Sequence, residues 1–287
     1  MSHASISASP DASASPKGSP RKRILITGST DGIGLAAASQ LAAQGHQVIL
    51  HGRNEERIRF AMQKVWEHAP DAEVEAVIGD FSGLQQVRRV AEAVLGNSDR
   101  LDVLINNAGV LLRERRQSMD GFELTMAVNH LAPFLLTNLL LPLLKKSAPA
   151  RVINVSSMSH ASGRIDFDDF NFEQEFDGYE AYAASKLANV LFTNELARRM
   201  TRLGVTANSL TPGVVRTKLL HVYFSGGMST EEGAATIVHL AASPEVENVS
   251  GGYFSECRKV KPAQNSEDPE LAERLWQESA RMVGLTG

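Results

Sequence analysis

Tyr182-Ala183-Ala184-Ser185-Lys186 is the stretch whose residue types and spacing could do acid–base chemistry. If it is helical, positions i and i+4 share a face, so the Tyr182 hydroxyl and the Lys186 ammonium project into the same space. An unperturbed phenol titrates near ~10 and is a poor base at neutral pH, whereas a fixed cation one turn away favours the phenolate. Tyr179 has Ala183, not a lysine, four residues on. A Tyr-x-x-x-Lys spacing also fits a packed tyrosine and a solvated lysine on an ordinary helix, so the elements around it have to decide.

Those elements alternate. From Arg23 onward, short β-rich runs at 24–26, 48–50, 74–78, 103–105, 152–155, 205–210 and 253–254 are separated by helix-length segments. The pattern predicts an α/β fold, a single doubly wound (Rossmann) domain whose mainly parallel sheet of about seven strands carries helices on both faces.

Gly28-Ser29-Thr30-Asp31-Gly32-Ile33-Gly34 falls between the first strand and the first helix. A glycine-rich turn there lets backbone N–H groups and a helix N-terminus approach a pyrophosphate, and a single tight turn would not need three glycines. At the end of the second strand, where an NAD site places a carboxylate on the ribose 2′-hydroxyl, the chain reads His51-Gly52-Arg53-Asn54. With no acid at that strand end and Arg53 able to pair with a 2′-phosphate, NADP(H) is expected over NAD(H). Glu55 and Glu56 suit the first turn of the next helix. Asp80, past the third strand with Phe81 beside it, could cap the helix beginning near Gly83 or accept a hydrogen bond from an adenine amino group. Both residues are taken as cofactor contacts, as are Asn107, Ala108 and Gly109 at the end of the fourth strand, where small residues permit close approach.

The 287 residues, 43% hydrophobic with a formal charge of -4, suit one large soluble domain and give no basic excess for nucleic acid. A single cysteine, Cys257, rules out an intramolecular disulfide, and the eight histidines show no metal-ligand spacing. Residues 1–20, rich in Ser, Ala and Pro, are expected to be a disordered tail ahead of one domain over 21–287, with no secretory signal. The apolar run 131–144 is interrupted by Pro133, Thr137, Asn138 and Pro142 and is shorter than the ~20 residues of a membrane span, so it reads as a buried core helix.

With these pieces in order, the sequence resembles the short-chain dehydrogenase/reductase family from about Arg21 to the C-terminal region. The matching stretches are TGSTDGIG from Thr27, NNAG from Asn106, NVSS from Asn154, YAASK from Tyr182 and TPGVVRT from Thr211. VNHLAPFLLTNLLLPLL, YAASKLANVLFTNELARR and SGGYFSECR look most like the retinol dehydrogenase and WW-domain oxidoreductase branch. The resemblance implies reversible hydride transfer between a nicotinamide and a carbonyl carbon. Tyr182 would be the general acid/base, Lys186 would hold the nicotinamide ribose and tune Tyr182, and Ser157, the second of the serine pair, would polarise the substrate oxygen. Asn129 would anchor a water-linked proton relay, or else be a buried amide satisfying its neighbours. Pro212, Gly213, Val215 and Thr217 would meet the cofactor after the sixth strand.

A small carbonyl or alcohol is the expected substrate, lipophilic if Leu219, Leu220, Val222, Tyr223, Phe224 and Met228 line its site, although they could equally pack internally or against a subunit. Family resemblance makes a homo-oligomer the expectation. The tail stands where membrane-bound retinol dehydrogenases have an apolar anchor, so a cytoplasmic enzyme with no membrane span is expected. A dehydratase or epimerase would use the same pair but needs a large C-terminal substrate domain; a non-catalytic NADPH-sensing scaffold would not need Ser157, Tyr182 and Lys186 intact. Between Ser157 and Tyr182 lies an acidic excursion with Phe167, Phe170, Phe172 and Phe176, expected to plug into the core rather than form a lid. Arg113-Glu114-Arg115-Arg116 is expected to be a solvated loop, and 269–283 an amphipathic helix packed on its own domain.

Overall fold

Continuous β-branched and leucine runs become strands that are buried on both faces. A computed structural model describes residues 20–218 and 226–285. The expected tail before Pro20 lies outside the described residues, as do Leu219, Leu220, Val222, Tyr223 and Phe224. Strands β1 (Arg23–Ile26), β2 (Gln47–Gly52), β3 (Val74–Ile78), β4 (Val103–Asn106), β5 (Ala150–Val155), β6 (Val205–Leu210) and β7 (Tyr253–Ser255) pair in parallel in the order β3-β2-β1-β4-β5-β6-β7. β8 (Arg258–Val260) adds to the β7 edge antiparallel, one strand more than the sequence pattern suggests. Its three residues are all exposed, so no apolar run marks it. It exists because Glu256 and Cys257 turn the chain at positive φ, 50° and 60°. A short charged edge of this kind also discourages pairing with another chain.

Helices cover both faces. Ile24, Ile26, Val48 and Leu50 point to one side, against α1 (Gly32–Ala43), α2 (Glu55–His68) and α7 (Thr230–Ala242). Leu25, Ile49 and Leu104 point to the other, against α3 (Leu84–Asn97), α5 (Ala132–Lys146) and α6 (Gly178–Arg199). This is the period-two alternation of a strand, with both faces apolar because both are covered. The chain winds outward from β1 to β3 and then returns to place β4 on the other side of β1. The loops leaving the carboxyl ends of β1 and β4 therefore diverge and open a crevice between them.

A short helix α4 (Leu124–Met126) passes through a π turn (Ala127–Leu131) into α5. The helical run Leu124–Lys146 is longer than the interrupted apolar stretch suggests, and by length and composition it could cross a membrane. In this fold 83% of its apolar window is buried. The C-terminal helix α8 (Pro269–Met282) packs on α6. Trp276 meets Phe134 edge-on at 5.0 Å and lies 5.7 Å from Phe192, while the Arg199 guanidinium stacks 4.4 Å over it.

The aromatics of the acidic excursion plug inward. Phe170 joins the core, Phe167 and Phe172 pack against it, and Phe176 sits edge-on to Phe172. Arg115 is not the solvated loop charge its sequence suggests. Its Nε donates to the Asn171 carbonyl at 3.0 Å and its guanidinium pairs with Glu173 at 3.6 Å, so it pins the excursion from across the chain.

Candidate active site

The glycine turn after β1 is locked to the loop after β4. The Thr27 hydroxyl accepts the N–H groups of Asn107 (2.9 Å) and Ala108 (3.0 Å), and the Asn107 amide donates to the carbonyls of Thr27 (2.9 Å) and Gly28 (3.1 Å). This approach requires glycine. Gly28 has φ +64°, and a Cβ there would lie 2.7 Å from the Ala108 Cα; a Cβ on Gly34 would lie 2.5 Å from both the Asn107 amide and the Gly28 carbonyl. Gly32, also at positive φ, instead faces Thr217 across a gap, with the Thr217 methyl 3.5 Å from where its Cβ would be. Asp31 caps α1 through Gly32 N–H (2.8 Å) and pairs with Lys218, which holds its carboxylate below the usual range. Thus Thr217 and Lys218, after β6, lean over the α1 N-terminus. A backbone cradle facing a helix N-terminus fits a dinucleotide pyrophosphate.

The other expected cofactor residues divide. Ser29 is fully buried and serves β2, its hydroxyl accepting His51 N–H at 2.9 Å. The Thr30 methyl packs at Gly52 beside the exposed Arg53, and Ile33 packs on the core behind the turn. Val215 is buried against Gly233, and Gly213, at φ +81°, lies under Met228. Asp80 does not cap α3: it holds Ser82 N–H at 2.9 Å, and Leu84 N–H at the start of α3 is taken by Asp120 at 2.7 Å, a partner too distant in sequence to anticipate. The Phe81 ring is not in the crevice but buried, stacked on His51 at 4.2 Å.

His51 is the residue the sequence did not flag. Its Nδ1 accepts Gly28 N–H (3.1 Å) and its Nε2 lies 3.1 Å from the Gly79 carbonyl. A ring with a donor on one side and an acceptor on the other must be neutral, with the proton on Nε2. Burial brings its pKa down to about 4. His51 therefore ties the glycine turn to the ends of β2 and β3, and only its place next to Gly52 at a strand end could have hinted at this.

Tyr182 and Lys186 lie on the buried face of α6, whose start Asp177 caps. Ser157 follows β5; its side chain caps the 3-10 turn Met158–Ser162, bonds Ser159 Oγ at 3.3 Å, and acts on the Tyr182 phenol to favour its charged form. Ser156, by contrast, is buried and donates to the Lys186 carbonyl at 2.7 Å. Burial pushes the Tyr182 phenol up to about 12 against the pull of the Ser157 hydrogen bond. The expected lowering by Lys186 is not seen. Its ammonium donates to the Val155 carbonyl at 3.0 Å and lies 5.4 Å from the centre of the Tyr182 ring, and burial brings its own pKa down to about 8. An amine whose charge burial disfavours and whose proton is spent on a carbonyl is a weak field for the phenol.

Asn129, in the π turn, accepts Val110 N–H (2.7 Å) and donates to the Val110 carbonyl (2.9 Å) and Ser185 Oγ (2.9 Å). Its donors are fully used, but its Oδ1 and the Lys186 ammonium meet at Gly109, 3.3 and 3.6 Å from where a Cβ would be. Such π turns concentrate at functional sites. Behind Ser157, the His160 Nδ1–H donates to the Ser157 carbonyl at 2.7 Å, its Nε2 accepts Ala263 N–H at 3.1 Å, and the Tyr253 hydroxyl reaches the same carbonyl at 3.3 Å.

The comparisons with known proteins agree with this geometry. The short chain dehydrogenase family model matches residues 22–226. Retinol dehydrogenase 13 of Mus musculus is 43% identical, over 93% of this chain and 85% of that protein. Retinol dehydrogenase 14 of Homo sapiens is 42% identical, over 92% and 87%. Among solved structures, an uncharacterized protein from Mycobacterium Paratuberculosis superposes with TM-score 0.78 at 32% identity, covering 93% of this chain and 96% of its own. A short chain dehydrogenase from Escherichia coli CFT073 complexed with NADPH gives 0.68 at 28%, over 83% and 97%. The chain belongs to the short-chain dehydrogenase family and is a retinol dehydrogenase-like oxidoreductase acting on CH–OH donors.

Proposed function

We propose that this enzyme uses NADP(H) to interconvert a lipophilic aldehyde or ketone and its alcohol, with Tyr182 as general acid/base. The observation that carries the reading is that the Ser157 hydroxyl acts on the buried Tyr182 phenol, which shares α6 with Lys186, while Asn129 and Lys186 converge at Gly109. When bound, the reduced nicotinamide supplies hydride. The glycine turn, Asn107–Gly109 and the 212–217 segment would hold it, and Lys186 would reach its ribose. Ser157 would donate a hydrogen bond to the substrate oxygen as charge develops there, and Tyr182 would deliver the proton. Burial keeps the Tyr182 phenol protonated at neutral pH, so in the reductive direction it starts with the proton it delivers.

NADP(H) is supported by Arg53, exposed at the β2 end with no carboxylate on that strand end. Asn54, next to it, is committed to capping α2 through Arg57 N–H. An apolar substrate is supported by Met158 and Val214, which follow Ser157 and Gly213 and stay 56% and 43% exposed. The retinol dehydrogenase relatives point the same way. A panel of retinal, steroid, quinone and short aliphatic carbonyls assayed with NADPH identifies the substrate. Tyr182→Phe should abolish turnover while leaving NADPH affinity nearly unchanged, and an active Tyr182→Phe enzyme would remove the assignment.

A further inference from the structure

The 3-10 turn after β5 closes on one backbone hydrogen bond, yet three donors meet on the carbonyl that accepts it. The Ser157 carbonyl takes the His160 backbone N–H at 3.2 Å, then the His160 Nδ1–H at 2.7 Å and the Tyr253 hydroxyl at 3.3 Å. Both side chains are buried, and their rings pack 4.7 Å apart. The Tyr253 oxygen also lies 3.3 Å from His160 Nδ1, so imidazole and phenol form one unit around the carbonyl. They come from different parts of the fold, His160 from the turn itself and Tyr253 from β7.

The imidazole is itself fixed. Its Nε2 accepts Ala263 N–H at 3.1 Å, so the ring proton sits on Nδ1 and faces Ser157. Asn265 donates to the His160 carbonyl at 3.2 Å and the Gly163 carbonyl at 2.9 Å, tying the same turn to the segment after β8. Local structure asks for none of this, because the backbone bond alone closes a 3-10 turn. What the extra donors restrain is the peptide plane that follows Ser157, and with it the direction of the Ser157 Cα–Cβ bond. The hydroxyl on that bond also accepts Ser159 N–H at 3.2 Å, so Ser157 is held through its side chain and its main chain together.

Resting on the reading of Ser157 as the group that hydrogen-bonds the substrate oxygen, we infer that His160 and Tyr253 are positioning residues that hold the Ser157 hydroxyl where that oxygen must bind. Neither is asked to touch substrate. Both act through the Ser157 carbonyl, His160 setting its direction and Tyr253 reinforcing it from the longer distance. A donor aimed at developing charge has its full effect only when it is in place before reaction, and a misplacement of ~1 Å costs on the order of 100-fold in rate. Losing the clamp slows the step in which charge develops and leaves ground-state binding, which rests on other contacts, unchanged.

The test is steady-state reduction of the panel's fastest carbonyl with NADPH, with NADPH affinity and thermal unfolding measured alongside. The proteins are wild type, His160→Leu, His160→Asn, His160→Gln, Tyr253→Phe, Ser157→Ala and the double variant Ser157→Ala/His160→Leu. His160→Leu should lower kcat by roughly ten- to a hundredfold with KM and NADPH affinity unchanged. An Asn amide N–H falls where the Nδ1–H was and should restore most of that rate, whereas a Gln amide reaches toward Ala263 and should restore thermal stability but not rate. Tyr253→Phe should show a smaller loss in kcat. In the Ser157→Ala background His160→Leu should cost no further rate, since nothing is left to position. His160→Leu at wild-type kcat, Gln restoring rate as well as Asn or better, or an additive loss in the double variant would each overturn the clamp; if His160→Leu does not fold, the contrast between Asn and Gln decides. Ser157→Ala separates the two ideas: wild-type kcat there removes the reading of Ser157, whereas a slow Ser157→Ala beside a His160→Leu enzyme at wild-type rate removes the positioning role alone.

Discussion

Acid should loosen the glycine turn through His51. In the fold this imidazole is neutral, with its pKa brought to about 4 by burial, against the opposing effects of the Gly79 carbonyl and the Asp80 charge. In the unfolded chain it titrates near ~6.5. Folding is therefore linked to a lowered pKa: the contribution is fully present above the unfolded value and is lost as pH falls toward the folded one. From about pH 7.5 to about pH 5 the unfolded state takes up a proton that the folded state refuses, at a cost of about 2 kcal/mol. Burial also lowers His46, His130 and His160, in the same direction, so a double difference is needed. Urea unfolding of wild type and His51→Asn at both pH values should show a pH-dependent loss smaller by about 2 kcal/mol in the variant, because the other histidines cancel. The amide oxygen of the Asn side chain can still accept the Gly28 N–H, so the variant removes the titrating group and keeps an acceptor for the turn. Equal pH dependence in the two proteins would refute the reasoning.

Two further perturbations probe the crevice. Arg53→Ala should lower affinity for NADPH while leaving NADH nearly unaffected, measured by cofactor fluorescence; equal preference in both proteins would overturn the 2′-phosphate role. Gly34→Ala puts a methyl 2.5 Å from the Asn107 amide and the Gly28 carbonyl, neither of which is a flexible side-chain end free to swing away. It should cost about 1–3 kcal/mol by overpacking, and NADPH affinity should fall with it, read by thermal unfolding with and without cofactor.

Local signals were legible in the sequence because they depend on near neighbours. The apolar runs marked seven strands, the glycine spacing marked the turn after β1, and Tyr182 and Lys186 marked one face of α6, since periodicity and backbone sterics act within a few residues. What only the tertiary structure decided depends on burial and on partners distant in sequence. Asp120 caps α3 in place of Asp80, Arg115 pins a segment 56 residues away, and β8 forms from exposed residues because β7 offers an edge. The same holds for the acid strength of Tyr182. Its neighbour in sequence promised a phenolate, but the Val155 carbonyl captures Lys186 and desolvation keeps the phenol protonated, a balance set by the packing around both groups.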